Sequence, residues 1–90
     1  MTYPFMPVHT GSYLRDTRHL SLSEQGTYFL LLMHCWDTKG PAPLDEIRLC
    51  SIVNARSDDE VASLRRVLDE FFIRGDDGWH NSRRYDSAGE

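Results

Sequence analysis

The chain has 90 residues, a length at which one domain with a modest hydrophobic core can form. Apolar residues make up 40% of it and charged residues 27%, a balance typical of a globular domain rather than a disordered one. The net charge of −4 argues against attraction of the whole molecule to nucleic acid, so any such contact would need a local basic patch.

Cysteine content and apolar runs predict a cytoplasmic chain with no membrane partner. Two cysteines, Cys35 and Cys50, cannot form a dense disulfide framework, and we expect both to be buried, reduced thiols. No basic segment precedes an apolar run at the N-terminus, as it would in a signal peptide. The longest apolar stretch, residues 28–33, is far too short to span a bilayer.

Residues 1–20 are predicted to form an irregular arm that packs on the core. Pro4, Pro7 and Gly11 oppose a long helix. The arm nevertheless carries more large apolar side chains than a flexible tail would, namely Tyr3, Phe5, Met6, Val8, Tyr13 and Leu14. We expect one short helical turn in it, around residues 13–18.

The first strong helix is predicted over residues 22–37. Ser21 and Glu24 have the spacing of a capping box, in which each side chain accepts a hydrogen bond from the other residue's free backbone N–H. The periodicity predicts one apolar face, made by Leu22, Gln25, Tyr28, Phe29, Leu32, Met33 and Trp36. Leu30 and Leu31 lie outside this face, so the helix is apolar nearly all round. Its other side must be covered by the arm or by a second subunit, and a homodimer is one expected assembly.

Two more helices follow the glycine–proline stop signal in Lys39-Gly40-Pro41. A short helix over residues 45–53 has an aspartate as its N-cap. Ser57 and Glu60 form a second capping box at the start of a helix over residues 58–72. The apolar stripe of this helix is Val61, Leu64, Leu68, Phe71 and Phe72. Two capped helices joined by a short turn predict a helix-turn-helix.

The period changes after the third helix. Residues 72–74 and 79–83 are short β-prone runs on either side of Gly75-Asp76-Asp77-Gly78, and Asp-Gly in that position indicates a hairpin turning at residues 76–78. Three helices followed by a hairpin give the order of a winged-helix domain, a mainly α fold with a small β-hairpin called the wing. We expect one domain over residues 1–90, divided into arm (1–20), three helices (21–73), wing (74–84) and frayed polar tail (85–90).

No chemistry-bearing motif is evident. The sequence contains no glycine-rich phosphate loop and no glycine-flanked serine of the kind that frames a nucleophile. Its four histidines and two cysteines match no zinc-binding spacing. We therefore expect a protein that is not an enzyme, with no catalytic residues, no cofactor and no metal site.

The candidate functional residues are arginines in the last third of the chain: Arg65, Arg66, Arg74, Arg83 and Arg84. On a winged helix they would lie on the third helix and the wing, where DNA contacts are made. The alternative is that Arg65 and Arg66 pair with Asp69 and Glu70, the acids four positions further along. The first turn of this helix is acidic and would repel phosphates, which favours pairing for these two arginines.

Several segments resemble the YdaU-like prophage domain family. They are Pro4-Phe5-Met6-Pro7, Tyr13-Leu14-Arg15-Asp16-Thr17-Arg18-His19-Leu20-Ser21, Gly26-Thr27-Tyr28, Leu31-Leu32-Met33-His34, Trp36, Gly40-Pro41-Ala42-Pro43, Arg48-Leu49, Leu68-Asp69-Glu70-Phe71-Phe72 and Trp79. The resemblance as a whole extends over about residues 3–83. Members of this family occur in prophages, often as an N-terminal domain before a basic or replication-protein-like region. The resemblance thus implies a role near the initiation of phage DNA replication, without implying a mechanism.

Two functions stay open. The first is a phage-associated winged-helix module that binds double-stranded DNA through Arg74, Arg83 and Arg84; three phosphate contacts would make a monomer bind weakly. The second is a protein-interaction module that docks a phage or host replication protein, or a second copy of itself.

Overall fold

The computed structural model describes residues 6–83. It is mainly helical with one antiparallel hairpin, in the order α1 Thr10–Thr17, α2 Leu22–Thr38, α3 Glu46–Val53, α4 Asp58–Phe71, β1 Phe72–Gly75 and β2 Gly78–Asn81. The bounds predicted for α2, α3 and α4 are confirmed to within one residue, and the hairpin after them is confirmed too, although its second strand ends at Asn81 rather than at residue 83. Residues 1–5 of the arm, Arg84 and the tail over 85–90 lie outside the described residues.

Helix α1 is longer than the single turn expected in the arm, so the prediction for residues 13–18 was too short. The helix begins after His9, whose Nδ1 accepts a hydrogen bond from the backbone N–H of Ser12 over 3.2 Å. At the C-terminal end, the buried hydroxyl of Thr17 donates to the Tyr13 carbonyl over 2.8 Å. An imidazole fills the role that serine, threonine, aspartate or asparagine usually fills, so the sequence carried no ordinary start signal.

Side chains cap the other three helices as predicted. The hydroxyls of Ser21 and Ser57 accept from the backbone N–H groups of Glu24 and Glu60, and both glutamates accept from the serine N–H in return. Asp45 accepts from the backbone of α3. These caps satisfy N–H groups that have no partner inside the helix.

Helices α2 and α3 end in the same way. Lys39 and Asn54 adopt left-handed backbone conformations with φ of 58° and 59°, and their N–H groups donate to the carbonyls of Cys35 and Cys50. Gly40 was the expected stop, but the residue before it takes the left-handed position. Asparagine tolerates this conformation well, and it turns the chain from α3 toward α4.

The core lies where α2, α4 and the hairpin meet. Its buried apolar side chains are Leu20, Tyr28, Leu31, Leu32, Ala42, Leu49, Val53, Leu64, Val67, Leu68, Phe71 and Phe72. The rings of Tyr28 and Phe71 stack with centroids 4.2 Å apart, which joins α2 to α4. The Tyr28 hydroxyl donates to Asn81 Oδ1 over 3.0 Å and so ties β2 to the same centre.

The inner face of α2 differs from the predicted one. Its buried residues are Thr27, Tyr28, Leu31 and Leu32. In contrast, Leu22 is 92% exposed, and Phe29 and Met33 are 36% and 37% exposed. Because α2 is apolar nearly all round, its pattern did not determine which side α3 and α4 would cover. Of the predicted face, Tyr28 and Leu32 are therefore in the core, whereas Leu22, Phe29 and Met33 lie outside it.

The hairpin turns at Asp76-Asp77, and its second strand also pairs with Ala42 in the segment that follows α2. Within it, Arg74 lies opposite Trp79. On the other edge of β2, Trp79 exchanges two backbone hydrogen bonds with Ala42, of 2.8 and 2.9 Å. Gly78 permits this approach, because its φ is 145° and a Cβ there would collide with the Ala42 carbonyl oxygen. Strand β2 thus lies between β1 and a bridge at Ala42.

Candidate nucleic-acid interface

Helix α4 and the hairpin position four of the five arginines predicted to contact DNA. The buried stripe of α4 is Leu64, Val67, Leu68 and Phe71, which leaves Arg65 and Arg66 exposed. The chain passes from Phe71 into β1 without a loop, so α4 also fixes where Arg74 and Arg83 lie. Arg84 lies outside the described residues.

Arg65 is bound to α3 rather than to its own helix. Its Nε and Nη2 donate to Glu46 Oε2 and Oε1 over 3.0 and 2.8 Å, a two-point ion pair. This hydrogen bond from Arg65 lowers the pKa of the Glu46 carboxyl below its usual range. The expected pair with Asp69 is replaced, because α3 brings a carboxylate to Arg65 from nineteen positions away.

Arg66 lies between two carboxylates. Its Nη2 is 3.6 Å from Glu70 Oε1, the partner predicted at four residues' spacing, and its Nε is 3.0 Å from Glu24 Oε2 on α2. Glu70 also binds His19, whose Nε2 is 2.7 Å from Glu70 Oε2. The guanidinium of Arg66 is therefore held by two neighbours with opposite charge.

Arg83 also has an acidic partner, although the sequence places no acid four positions from it. Its Nη1 lies 3.3 Å from Asp16 Oδ2 on α1, and its guanidinium carbon lies 5.3 Å from the centroid of the Phe71 ring. Sequence spacing could not reveal this pair, because α1 and the end of the hairpin are far apart in the chain. The contact ties the last described residue to the start of the domain.

Arg74 has a different environment. Trp79 uses its backbone groups on Ala42, so Arg74 and Trp79 form a pair without mutual backbone hydrogen bonds, in which side chains approach closely. The Arg74 guanidinium carbon is 5.9 Å from the Trp79 ring centroid. Within residues 6–83, no carboxylate oxygen lies within 4.0 Å of its nitrogens.

Arg74 and Trp79 line an open groove of about 260 Å³ between α3, α4 and the hairpin, which we call the wing groove. Its walls are Leu44, Glu46, Leu49, Arg65, Leu68, Asp69, Arg74 and Trp79. The two acids and two arginines are on its walls together with three leucines and an indole. The groove thus has four apolar and four charged residues, and its charges balance.

The charge of α4 itself is negative. Its sequence has five acids and two arginines, a net of −3, and three of the acids form the first turn: Asp58, Asp59 and Glu60. Acids suit the positive end of the helix dipole, and the backbone N–H groups of Arg56 and Ser57 lower the pKa of Glu60. A helix with this charge would bring like charge to DNA phosphates.

Two exposed arginines on α1 escaped the sequence prediction. Arg15 and Arg18 lie three positions apart, and neither has a carboxylate within 4.0 Å in the described part of the chain. Their helical spacing was the available signal. Because only one helical turn was expected in the arm, this spacing did not indicate an exposed basic face.

Neither metal-site geometry nor a reactive thiol is found in the described region. Over residues 6–83, no three His, Cys, Asp or Glu side chains gather in a way that could hold a metal ion. Cys35 and Cys50 are free and half-buried rather than fully buried. Burial raises the pKa of the Cys35 thiol although the backbone of Ala42 donates to it, and a raised pKa lowers the thiolate fraction. None of the helices described has the length and apolar character needed to cross a membrane.

Comparison with known proteins gives two matches. A family model described as "Protein of unknown function (DUF1376)" matches residues 4–88. Over 81 residues the chain is 35% identical to "Uncharacterized protein YdaU" of Escherichia coli (strain K12), an alignment covering 89% of this chain. The same alignment covers 27% of that relative, so this chain corresponds to a minor part of it. No solved structure matches the chain.

Proposed function

The chain belongs to this DUF1376 family, the YdaU-like family that its sequence resembles, and we propose that it is a non-enzymatic winged-helix module that binds a protein. The prophage setting implied by the resemblance suggests a partner among phage or host replication proteins. Binding, rather than catalysis, is the activity for which the described surface offers suitable groups.

The order of elements supports the winged-helix part of the proposal. Helix α2 is followed by the bridge at Ala42, the capped pair α3 and α4, and the hairpin that returns to Ala42. This order matches that of a helix-turn-helix with a wing, and β2 pairs with the segment between α2 and α3. Helix α1 precedes these elements in the chain and is not part of the winged-helix order.

The observation that carries the choice of a protein partner is the pairing of the arginines. Arg65, Arg66 and Arg83 each have a carboxylate within 4.0 Å. DNA affinity depends on cations that are free to replace the counterions of phosphates. A paired arginine must first lose its carboxylate, and α4 adds net negative charge at the same surface.

The wing groove is the proposed docking place. Leu44 and Trp79 offer apolar surface, and Arg74 lies at the same wall without a carboxylate partner in the described region. Tryptophan and arginine are the residue types that contribute most to protein interfaces, because both combine a large apolar area with directed polar contacts. A partner segment with one apolar and one acidic side chain would match this groove.

DNA binding is the second candidate, and Arg74 favours it. Together with Arg83 and Arg84 it would give three phosphate contacts, enough for weak affinity with a log–log salt slope of about −3. Dimerisation would double these contacts.

Fluorescence anisotropy with a labelled random duplex separates the two candidates. We expect little binding at about 50 mM salt and none at about 200 mM. Any residual signal should be lost in the Arg83→Ala/Arg84→Ala variant, with Arg48→Ala as an exposed-arginine control. Tight binding at the higher salt concentration would contradict the proposal of a protein partner. Tight binding that survives the double substitution would place the DNA contact on another surface.

A further inference from the structure

Helix α2 presents apolar residues to solvent along its whole length. Leu22, Gly26, Phe29 and Met33 are spaced i, i+4, i+7 and i+11, which places them on one face of the helix. All four are exposed, and we call them the α2 stripe. Leu30 borders the stripe and lines an open groove of about 200 Å³ that also contacts Leu22 and Gly26.

No contact within the chain explains why position 26 is a glycine. Glycine destabilises a helix interior relative to alanine, and Gly26 is the fifth residue of a 17-residue helix. Its backbone needs no positive φ, and a Cβ placed there would meet no atom within 4 Å. The glycine therefore leaves an open notch in the stripe, next to the bulky Leu22 and Phe29.

We propose that the α2 stripe is a homodimer interface, in which two α2 helices pack antiparallel around a two-fold axis between Gly26 and Phe29. Each Phe29 ring then fills the notch at Gly26 of the other copy, and each Leu22 meets the other Met33. The stripe is self-complementary in the way a two-fold interface requires, because its large and small residues exchange places under the rotation. A second copy supplies Phe29 as the side chain that fills the notch, and the two-fold rotation places this ring opposite Gly26.

Charge is compatible with this pairing. The chain has a net charge of −4, so two copies repel over most of their surface. The four residues of the stripe carry no charge, and Glu60, the one carboxylate among the described residues that line the groove at Leu22 and Gly26, accepts hydrogen bonds from the backbone N–H groups of Arg56 and Ser57. The inference goes beyond the proposed function, since the stripe lies on α2 and does not depend on what the wing groove binds.

Sedimentation equilibrium of the full 90-residue chain tests the interface. We expect the mass to rise with concentration from 10.4 kDa toward twice that value. Leu22→Glu should weaken association roughly tenfold or more, because it puts a charge against Met33 of the other copy in a small apolar contact. Ile47→Glu is the matched control, since Ile47 is 79% exposed on α3, away from the stripe. It should leave association unchanged.

Gly26→Gln separates folding from docking. Glutamine is a good helix former and meets no neighbour in its own chain, so the thermal midpoint should not fall while the dimer is lost. A wild-type chain that stays at 10.4 kDa at every concentration overturns the inference. So does a Gly26→Gln variant that dimerises like wild type, or an Ile47→Glu variant that weakens association as much as Leu22→Glu. None of these results depends on the anisotropy assay for DNA.

Discussion

Replacing Gly78 with alanine should loosen the attachment of the hairpin to the helices. The φ of 145° at Gly78 is a conformation that side chains oppose. An added Cβ would overlap with the Ala42 carbonyl oxygen and come within 2.9 Å of Cβ of Pro41. The same carbonyl accepts the Trp79 N–H over 2.8 Å, so it cannot move away without lengthening that bond.

The cost follows from these contacts. Backbone strain contributes about 1–3 kcal/mol, and two weakened hydrogen bonds about 0.5–1.5 kcal/mol each. We therefore expect the free energy of unfolding to fall by about 2–6 kcal/mol, a large part of the roughly 5–14 kcal/mol that a domain of this length has. Urea denaturation followed by circular dichroism measures this loss as a lower midpoint at unchanged slope.

Gly40→Ala is the matched control. Gly40 has no φ in the range that side chains avoid, and a Cβ there would find its nearest atom, the Thr38 carbonyl oxygen, at 4.0 Å. The change should alter the free energy of unfolding by less than about 1 kcal/mol. If Gly78→Ala cost no more than this control, the bridge between Ala42 and Trp79 would not be what holds the hairpin in place.

Two further predictions concern caps and ion pairs. Ser57→Ala removes the hydroxyl that accepts from the Glu60 N–H over 3.2 Å and should cost about 0.5–2 kcal/mol in urea denaturation; an unchanged midpoint would show that the cap contributes nothing. Hydrogen bonds from Arg65 and His80 lower the pKa values of Glu46 and Asp77 below their ordinary values of 4.5 and 3.8. The stabilisation that each carboxylate contributes is therefore complete above its ordinary pKa and is lost as the pH falls through the lowered pKa. The thermal midpoint of the wild type should fall on acidification, and the thermal midpoint of Glu46→Gln should fall less steeply. Equal slopes for the two proteins would contradict the Glu46 contribution.

Local signals were sufficient for most of the secondary structure. The capping boxes at Ser21 and Ser57 are completed by glutamates three positions later, and the hairpin turn at Asp76-Asp77 is set by adjacent residues. Such motifs are satisfied within a few positions of the chain, so tertiary packing does not alter them. This explains why α2, α3, α4 and the hairpin were predicted correctly.

The candidate site depended on contacts between distant parts of the chain. Spacing rules pair Arg65 with Asp69 on one helix, but the fold places Glu46 beside it instead. Arg83 binds Asp16 on a helix that the sequence did not reveal, since His9 caps it in place of a common capping residue. Predicting either pair requires the packing of α1 and α3, which no pattern within a single helix contains.

The proposal of a protein partner depends on the carboxylates that neutralise the arginines of α4 and so keep them from DNA phosphates. Removing those carboxylates should then create DNA binding. In the triple variant Glu24→Gln/Glu46→Gln/Glu70→Gln, the partners of Arg65 and Arg66 lose their charge. Glutamine at position 24 can still complete the capping box, so α2 should start as before.

The decisive measurement is duplex-DNA anisotropy of this triple variant beside wild type. At about 50 mM salt we predict a much larger rise for the variant than for wild type, and the rise of both should be lost by about 200 mM. A control with Asp37, Asp45 and Asp76 changed to asparagine removes the same charge from side chains outside α4 that have no arginine within 4.0 Å in the described region, and it should behave like wild type. Wild type that binds duplex as tightly as the triple variant, or a control that binds equally well, would contradict the claim.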